Sequence, residues 1–398
     1  MFEMVDNKGQ KALIKVIGVG GCGGNAVDFM IEKNVQGVEF ICINTDLQAL
    51  KKSQASTIIQ IGDSLTKGLG AGSRPDTGKQ AAIDDKEKIV QAIQGADMLF
   101  ITAGMGGGTG TGATPIIAEA AKELGILTVA VVTKPFDFEG RRTQIAKEGI
   151  SELVNHVDSL IVIPNEKLMG VLGDEVTFVD AFGAANNVLN SAVEGIAEII
   201  NNPGLINVDF SDVKTVMSEM GVAVIGSGFS EGPDRAISAA KEAVSCPLLE
   251  EVNLNNAKGI LVNISASKDF KMREYFEVMD HIKKYAAENA SIIVGSVIDD
   301  SLNNHLRVTM VATGLSTPIN SNELHPNEKI DSSGFNNEEP NVIEEINFST
   351  EVSDELNVFE ENPEGDVDLS GIGNESEYDT PSFLRSRDKE KNDFSKND

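Results

Sequence analysis

The run GMGGGTGTG at residues 104–112 has the composition of a phosphate-binding loop. It follows a short apolar stretch at 98–103, which predicts a strand, and precedes a helical pattern at 115–124. Glycine lets backbone N–H groups approach oxyanions closely, and the N-terminus of a helix adds partial positive charge. The run has no lysine, so it is not the GxxxxGK[ST] loop of the common nucleotide hydrolases. Backbone amides must therefore hold the phosphates, with a metal ion to balance their charge.

A second glycine run, GVGGCGGN at 18–25, leaves a predicted strand, enters a predicted helix and satisfies GxGxxG. Alone, this weak pattern fits an NAD- or FAD-linked oxidoreductase. Such an enzyme has no use for a second phosphate-binding loop in the same sheet, whereas two loops at successive strand ends suit one nucleotide with a long phosphate chain. A third cluster, GLGAG at 68–72, is either a flexible surface loop or a lid that orders on the terminal phosphate.

The elements that must position these loops alternate between strand and helix. Strands are predicted at 13–19, 38–44, 57–61, 98–103, 127–133 and 160–163, and helices at 26–33, 79–93, 116–124 and 145–156. The strands are apolar throughout, as expected for a parallel sheet that is covered on both faces. After an N-terminal arm at 1–10, we therefore predict a doubly wound, mostly parallel α/β domain at 11–178.

A long central helix is predicted at 179–202, because its apolar residues recur at helical spacing along one face. A second, smaller α/β domain follows at 203–315. Its strands are predicted at 222–227, 259–264, 291–297 and 307–313, and its helices at 234–245 and 271–287.

The segment NVDFSD at 207–212 carries two carboxylates at i, i+3 spacing, Asp209 and Asp212. They either cap a helix or orient a water for attack on a phosphate. From 182 to 200 the central helix rises roughly 27 Å at ~1.5 Å per residue. If Phe182 lies near the nucleotide, the carboxylates can reach only the phosphates of a neighbour stacked head to tail. Such a heterologous contact builds filaments.

The formal net charge of -29 argues against nonspecific nucleic-acid binding and against direct adhesion to anionic lipid. Three widely spaced cysteines, at 22, 42 and 246, form no disulfide or zinc pattern, which predicts a reducing, cytoplasmic location. No apolar run reaches the ~18 residues of a membrane helix. We therefore expect no direct membrane insertion, and any membrane role would need an adaptor.

The composition changes at residue 316. Residues 316–378 contain 17 acidic and 1 basic side chains, which predicts a disordered acidic linker. The last segment, 379–398, contains DTPSFLRSR, an apolar pair followed by two arginines. This switch in composition predicts a short docking peptide at the end of a tether.

These segments together resemble the tubulin/FtsZ GTPase family, and within it the bacterial cell-division members. The resemblance covers about residues 10–315 and rests on GVGGCGGNAV at 18–27, NTDLQAL at 44–50, KGLGAGSRPDTGK at 67–79, GGGTGTG at 106–112, VVTKPFDFEG at 131–140, DAFGAANNVL at 180–189 and NPGLINVDFSDV at 202–213. It implies GTP binding, polymerisation into a mid-cell ring, and hydrolysis that is completed across the subunit interface.

The resemblance also implies roles for the matching residues. Those that would hold phosphates are Gly20, Gly21, Cys22, Gly23, Gly24, Asn25, Gly104, Gly106, Gly107, Gly108, Thr109 and Gly110, with Asn25 also near the guanine. The terminal phosphate would be sensed by Gly70, Ala71 and Gly72, and ribose and phosphate would contact Thr133, Pro135, Glu139, Arg142 and Asn165. Phe182 would stack on the base and Asn186 would read its edge.

The catalytic group that the resemblance implies is Asn207, Asp209 and Asp212, which would act on the GTP of the next subunit. Mg²⁺ would be held mostly by phosphate oxygens and water. Partners would be further copies in a head-to-tail protofilament, division regulators, and membrane adaptors of the FtsA and ZipA type. The adaptors would bind the terminal peptide through Asp379, Pro381, Phe383, Leu384, Arg385 and Arg387.

Three positions depart from the family pattern. After Phe-Glu-Gly one basic residue is missing, so Arg142 rather than Arg141 is the expected contact. An aspartate is often found where Asn186 and Asn187 stand, so neutral amides would read the guanine. Cys22 stands in place of a glycine or alanine, as a small residue that fits, and its thiol would hardly ionise beside a phosphate.

Two other functions are compatible with parts of the pattern. One is a scaffold that binds nucleotide and polymerises without hydrolysing it, which the pair Asp209 and Asp212 opposes. The other is the NAD-linked oxidoreductase, which only the GxGxxG run supports.

Overall fold

The computed structural model describes residues 11–172, 177–202, 204, 206, 208–219, 221–246, 257–287 and 289–315. All elements below belong to the unit formed by residues 1–325. The predictions for the arm at 1–10, for Asn207, for the linker at 316–378 and for the docking peptide at 379–398 lie outside the described residues.

The first half of the chain builds a parallel sheet. Its strands are β1 (Ile14–Val19), β2 (Val38–Asn44), β3 (Thr57–Gln60), β4 (Met98–Gly104), β5 (Leu127–Lys134) and β6 (Ser159–Pro164). They run side by side in the order β3-β2-β1-β4-β5-β6, and every neighbouring pair is parallel. Val19 pairs with both Ile43 and Ala103, so the carboxyl ends of β2, β1 and β4 meet at one edge. The connections after β1 and β4 lead away in opposite directions, which opens a crevice there.

Helices cover both faces of this sheet. They are α1 (Gly20–Glu32), α2 (Leu47–Leu50), α3 (Asp63–Thr66), α4 (Pro75–Asp84), α5 (Lys86–Ile93), α6 (Thr109–Glu123), α7 (Arg141–Leu153), α8 (Asn165–Leu172) and α9 (Phe178–Asn201). Alternate strand residues enter different cores: Val16 packs with α1 and α9, whereas Ile17 packs with α4, α5 and α6. This two-sided burial confirms the predicted doubly wound α/β fold.

Several predicted helices have different limits in the structure. The helix expected at 26–33 begins at Gly20, inside the first glycine run. The helix expected at 79–93 is divided into α4 and α5 at Asp85, whose carboxylate accepts a hydrogen bond from the Gly62 amide at 2.7 Å. The helix expected from 116 begins at Thr109, inside the glycine run. Position 112 requires glycine because α4 passes close by: a Cβ there would lie 2.0 Å from the Pro75 carbonyl oxygen.

The second half continues the sheet. It contains α10 (Phe210–Met217), β7 (Gly221–Glu231), α11 (Arg235–Val244), β8 (Gly259–Ala266), α12 (Met272–Ile282), β9 (Ser291–Ile298) and β10 (His305–Leu315). The strand order is β7-β10-β8-β9, with β10 antiparallel to both of its neighbours and β8 parallel to β9. These strands share a third core with α11 and α12, separate from the two above.

The two halves share one hydrogen-bonded ladder. A short parallel pairing joins β6 to β7, from Ser159 with Gly221 to Ile161 with Ala223, so the sheet continues over ten strands. The predicted division into domains at 203 therefore lies within a continuous sheet, and it stays a prediction. Over the described ranges, no helix combines the length and the hydropathy that a membrane crossing requires.

Candidate functional site

A cavity of about 540 Å³ opens at the shared carboxyl edge of β1, β2, β4 and β5. The predicted site residues that line it are Gly20, Gly21, Cys22, Gly70, Ala71, Gly72, Gly104, Gly107, Gly108, Thr109, Gly110, Thr133, Pro135, Glu139, Arg142, Asn165 and Phe182. The three glycine runs, distant in sequence, therefore meet around one space. Five predicted binding residues are not among its described lining: Gly23, Gly24, Asn25, Gly106 and Asn186. Their binding roles remain predictions.

The first turns of two helices form the floor of the cavity. Helix α1 begins at Gly20 and helix α6 begins at Thr109, and both residues line the space. The amide N–H groups of a helix's first turn have no partner within the helix, so they are free to bind an anion. A Cβ on Gly20 would lie 3.0 Å from the Gly110 nitrogen, which brings the two helix starts into contact. Two positive helix ends thus converge on one cavity.

Glycine is required where the loops cross. A Cβ on Gly108 would lie 2.3 Å from the Gly72 carbonyl oxygen, and one on Gly104 would lie 2.6 Å from the Cys22 Cβ. A Cβ on Gly107, in contrast, would meet nothing within 4 Å, because it would point into the cavity. The Thr109 hydroxyl lies 2.7 Å from the Thr45 hydroxyl and ties this loop to the end of β2. The backbone of the three loops therefore sets the shape of the cradle.

The side chains around the cavity supply little positive charge. Among the described lining residues Arg142 is the one cation, and its Nη1 donates to Glu139 Oε2 at 2.9 Å. Asp46 adds a second carboxylate. A bound triphosphate would therefore depend on the helix N-termini and on a divalent cation. Within the described ranges no group of three or more His, Cys, Asp and Glu side chains could hold a metal. That Mg²⁺ is held by phosphates and water stays a prediction.

An aromatic ring and a buried amide border the cavity where a base would bind. Phe182 is 48% exposed and packs edge-on against Phe136, with ring centroids 5.8 Å apart at 84°. Asn165, at the start of α8, is only 6% exposed, and its Oδ1 has no hydrogen-bond partner among the described residues. A buried acceptor without a donor is costly, so this oxygen suits a ligand N–H or O–H. The residues present therefore fit a nucleotide.

Cys22 lies between the two phosphate-binding runs. Its residue surface faces the open cavity, while neighbouring atoms crowd the thiol itself. This burial raises the pKa of the Cys22 thiol, the contact with Thr133 Oγ1 at 3.6 Å lowers it, and the charge of Glu139 raises it. The protein environment therefore favours the neutral form of the thiol. The expected effect of a phosphate on it stays a prediction.

Several lining residues were not predicted as site residues: Val19, Asn44, Asp46, Ala49, Leu69, Ser73 and Met105. Asn44 Oδ1 accepts the amides of Thr45 and Asp46 at 2.9 and 3.2 Å, and the Asp46 carboxylate accepts the Gln48 amide at 2.7 Å. The signal was present in the sequence, because Asn44 ends β2 and Val19, which pairs with the preceding Ile43, ends β1 directly before Gly20. Polar residues at neighbouring carboxyl ends of parallel strands share an edge.

Asp209 and Asp212 lie outside the cavity. Asp209 occupies the N-cap position of α10, yet its side chain makes no capping hydrogen bond, and Asp212 follows in the first turn. Both are exposed, and neither carboxylate has a hydrogen-bond or ion-pair partner among the described residues. Helix α9 separates them from the cavity, since Phe182 in its first half lines that space and α10 follows its last residue, Asn201. The carboxylates are therefore unpaired among the described residues, and they do not line their own subunit's cavity.

Comparison with known proteins agrees with this architecture. Residues 13–173 match the model of the Tubulin/FtsZ family, GTPase domain, and residues 221–316 match the FtsZ family, C-terminal domain. The chain is 59% identical over 320 residues to the cell division protein FtsZ of Pseudomonas aeruginosa, covering 80% of this chain and 81% of that protein. It is 49% identical over 395 residues to the cell division protein FtsZ of Buchnera aphidicola subsp. Schizaphis graminum, covering 97% and 100%.

A solved FtsZ dimer from M. jannaschii has the same fold. Its TM-score is 0.74 at 44% identity, over 77% of this chain and 89% of that chain. The family model that matches residues 13–173 spans all of the described lining of the cavity except Phe182. The cavity lies in the part of the chain that matches the family's GTPase domain. The fold, the cavity and the sequence similarity together show that the chain belongs to the tubulin/FtsZ family.

Proposed function

We propose that this chain is a GTP-dependent, filament-forming cell-division protein that hydrolyses GTP at the interface between stacked subunits. The relatives above are named as cell division proteins, and a solved relative is a dimer. The observation that carries the proposal is the separation of the two halves of the site. The nucleotide cradle and the free carboxylates of Asp209 and Asp212 lie beyond opposite ends of α9.

The carboxylates that line the cavity are already engaged. Glu139 accepts from Arg142 and from the Phe136 amide at 3.0 Å, and Asp46 accepts from the first turn of α2. Among the described lining residues, none of the acidic side chains is therefore free to activate a water. Asp209 and Asp212 are free, and on a stacked neighbour they can face the terminal phosphate.

The chemistry that this arrangement supports is transfer of a phosphoryl group to water. A carboxylate of the incoming subunit accepts a proton as the water oxygen bonds to the γ-phosphorus. The bond from that phosphorus to the β–γ bridging oxygen breaks, which leaves GDP and inorganic phosphate. Mg²⁺, when bound, balances the charge on the phosphates. The chain's own residues supply the cradle on one side and the acceptor for the proton on the other.

Base recognition belongs to the open side of the cavity. We propose that Phe182 stacks on the guanine, that Asn165 accepts from the nucleoside through its unpaired oxygen, and that Asn186, one turn beyond Phe182 on α9, reads the base edge. Arg142 and Glu139 would contact ribose and phosphate from the start of α7. Asn207 would assist the two aspartates.

The C-terminal peptide completes the proposed function. Its apolar pair, Phe383 and Leu384, would enter membrane adaptors of the FtsA and ZipA type, with Arg385 and Arg387 making charged contacts. The linker would give this peptide reach from a cytoplasmic filament at the mid-cell ring. Division regulators would bind the same assembly.

A titration of subunit concentration tests interface hydrolysis. Phosphate release per subunit should rise steeply with protein concentration, because an isolated subunit has no carboxylate at its own phosphate. The measurement is the initial rate at saturating GTP, normalised to the amount of protein. Equal turnover per subunit in dilute and in concentrated solution would contradict the proposal.

A mixing experiment tests the same point more sharply. Asp212→Ala should retain GTP binding and lose turnover, and Gly107→Leu should fill the cavity and lose GTP binding, because a side chain there points into free space. If the site is shared, the mixture should hydrolyse more GTP than the sum of the two separate variants. Asp234→Ala is the matched control, since Asp234 is also an exposed N-cap aspartate without a capping bond. Loss of GTP binding in Asp212→Ala would refute the arrangement.

A further inference from the structure

The connection between α9 and α10 is attached to the edge strand β9. An antiparallel bridge joins Ile206 to Ser296, in which the Ser296 amide donates to the Ile206 carbonyl oxygen at 3.2 Å. The Ile206 amide in turn donates to the Ser296 hydroxyl oxygen at 3.1 Å. Ser296 is 2% exposed. A side chain thus supplies the acceptor for one of the two hydrogen bonds that seat this connection.

Two glycines allow the connection to approach the strand. A Cβ on Gly204 would lie 1.7 Å from the Ser296 carbonyl oxygen, so the backbone there rests directly on β9. A Cβ on Gly295 would lie 3.3 Å from Ile199 and 3.4 Å from Val208, so the end of α9 and the residue before Asp209 both pack over that position. The described residues of this connection, Gly204, Ile206 and Val208, therefore contact two neighbouring residues of one strand, Gly295 and Ser296.

The other end of α10 is held separately. The Ser159 hydroxyl donates to the Met217 carbonyl oxygen at 2.6 Å, and the Thr313 hydroxyl donates to the Val216 carbonyl oxygen at 2.7 Å. These bonds hold the C-terminus of α10 whatever happens at its start. Weakening the attachment to β9 should therefore shift the first turn, where Asp209 and Asp212 lie, while the helix stays in place.

We propose that Ser296 is a positioning residue for GTP hydrolysis, which holds the connection before α10 so that Asp209 and Asp212 meet the phosphates of the adjoining subunit. The proposal rests on the proposed function. Removal of the hydroxyl leaves the Ile206 amide without its acceptor, and that amide can recover a partner only if the backbone moves. Small displacements of a reacting group lower rates strongly while they leave substrate binding intact.

The test compares three full-length variants of β9. Ser296→Ala should lower kcat about fivefold, the effect of one lost hydrogen bond on a reacting geometry, with the KM for GTP within about twofold of the wild-type value. Ser296→Thr keeps the hydroxyl and should restore kcat to within about twofold of wild type. Ser291→Ala changes an exposed serine on the same strand and should have no effect. GTP binding, filament formation by sedimentation and thermal unfolding are measured on the same samples.

The outcomes separate this proposal from the one on which it depends. If Asp212→Ala abolishes turnover and Ser296→Ala keeps kcat within about twofold of wild type, Ser296 does not position the aspartates. A loss of GTP binding or of filaments in Ser296→Ala, or failure of Ser296→Thr to restore kcat, would assign the residue a purely structural role and also overturn the proposal. If Asp212→Ala itself keeps full turnover, interface hydrolysis through Asp212 is wrong, and the positioning role of Ser296 is overturned with it.

Discussion

At the scale of single residues, the surroundings of the Cys22 thiol in the cavity lower its reactivity. Burial raises the pKa of the Cys22 thiol, and the nearby Glu139 carboxylate adds to this effect, whereas the contact with Thr133 opposes it. Because only the thiolate reacts with alkylating agents, a raised pKa means a smaller reactive fraction at any pH near neutrality.

We expect iodoacetamide to modify Cys22 more slowly than it modifies a cysteine in an unstructured peptide at about pH 8, below the ordinary thiol pKa. The rate for Cys22 should go on increasing at pH values where the peptide's rate has levelled off. Mass spectrometry of the Cys22 peptide measures the rate, and bound GDP should slow it further. A rate equal to the peptide's at every pH would show that the thiol is not suppressed.

At the scale of elements, close packing between two helices explains why one of them contains a glycine, a residue that usually occurs in loops. Helices α4 and α6 touch so closely at Gly112 that a methyl group would lie 2.0 Å from the Pro75 carbonyl oxygen. Gly183 of α9 is the contrasting case, since a Cβ there meets nothing within 4 Å.

Gly112→Ala should therefore lower the free energy of unfolding by about 3 kcal/mol, since α4 must move to admit the methyl group. Gly183→Ala should raise it by about 0.5 kcal/mol, because alanine restricts the unfolded chain without a clash. Urea unfolding followed by circular dichroism measures both. Equal effects of the two substitutions would mean that α4 and α6 are not in the close contact described.

A polar cluster joins α9 to the second half of the sheet. Glu198 accepts from Arg307 Nη2 at 2.6 Å, from Asn263 Nδ2 at 3.0 Å and from the Ser265 hydroxyl at 3.1 Å, and Glu194 lies 3.4 Å from Arg307 Nη1. Burial raises the pKa of Glu198, Arg307 opposes the rise, and Glu194 adds to it. The helix that links the cavity to α10 is thus attached to β8 and β10 through a carboxylate that is reluctant to ionise.

The sign of the pH effect follows from this raised pKa. As pH falls, the folded protein binds a proton at Glu198 before the unfolded chain does, so protonation favours the folded state. The free energy of unfolding of wild type, relative to Glu198→Gln, should therefore increase as pH falls from neutrality towards about 4.3. Urea unfolding of both proteins across this range measures the difference. A difference that is constant or decreases would show that Glu198 ionises normally.

The strands were predictable because burial on both faces leaves an unmistakable apolar run, and β2 occupies the residues expected for it. The short helices α2 and α3 have four residues each, too few to display a period, and were missed. The start of α6 at Thr109 could not be derived from helix propensity, since glycine disfavours helices. The close contact with α4 explains why glycine occupies position 112 of this helix. Tertiary contacts thus decided what local preference could not.

The site, like the fold, could be predicted in its main features but not in every residue. Its glycine runs predicted a phosphate-binding site. The resemblance to a family predicted individual contact residues such as Arg142 and Phe182, which line the cavity. Asp46 was not predicted as a site residue, because its place at the cavity depends on the alignment of β1 with β2. The contact between Gly204 and Ser296 joins positions some ninety residues apart, so no short-range sequence pattern predicts it.

At the scale of the whole molecule, the sheet is one ladder of ten strands, so the described part of the chain is built as a continuous body between cavity and α10. The adaptor peptide proposed at 379–398 is separate from that body in sequence. Polymerisation and adaptor binding should accordingly be separable by truncation.

Deleting residues from Asp379 onward should leave GTP turnover and filament formation unchanged and abolish binding to an adaptor of the FtsA type. Sedimentation with GTP measures filaments, and co-sedimentation measures adaptor binding. A variant with Phe383 and Leu384 changed to serine is the matched control for the loss of length. If the truncated chain forms no filaments, the peptide also contributes to assembly, and the proposed separation is wrong.

The cradle's anion-binding groups are mostly main-chain amides, and every amino acid except proline carries one. Substitution by any residue except proline keeps the donor, and at Gly104, Gly107 and Gly108 it harms the cavity by adding bulk. Inactivating variants of this region should therefore be dominated by enlargements, whereas at Asp209 and Asp212 truncation alone should suffice. A saturation library scored for growth should show that enlargements inactivate the protein in the cradle, whereas truncations inactivate it at Asp209 and Asp212.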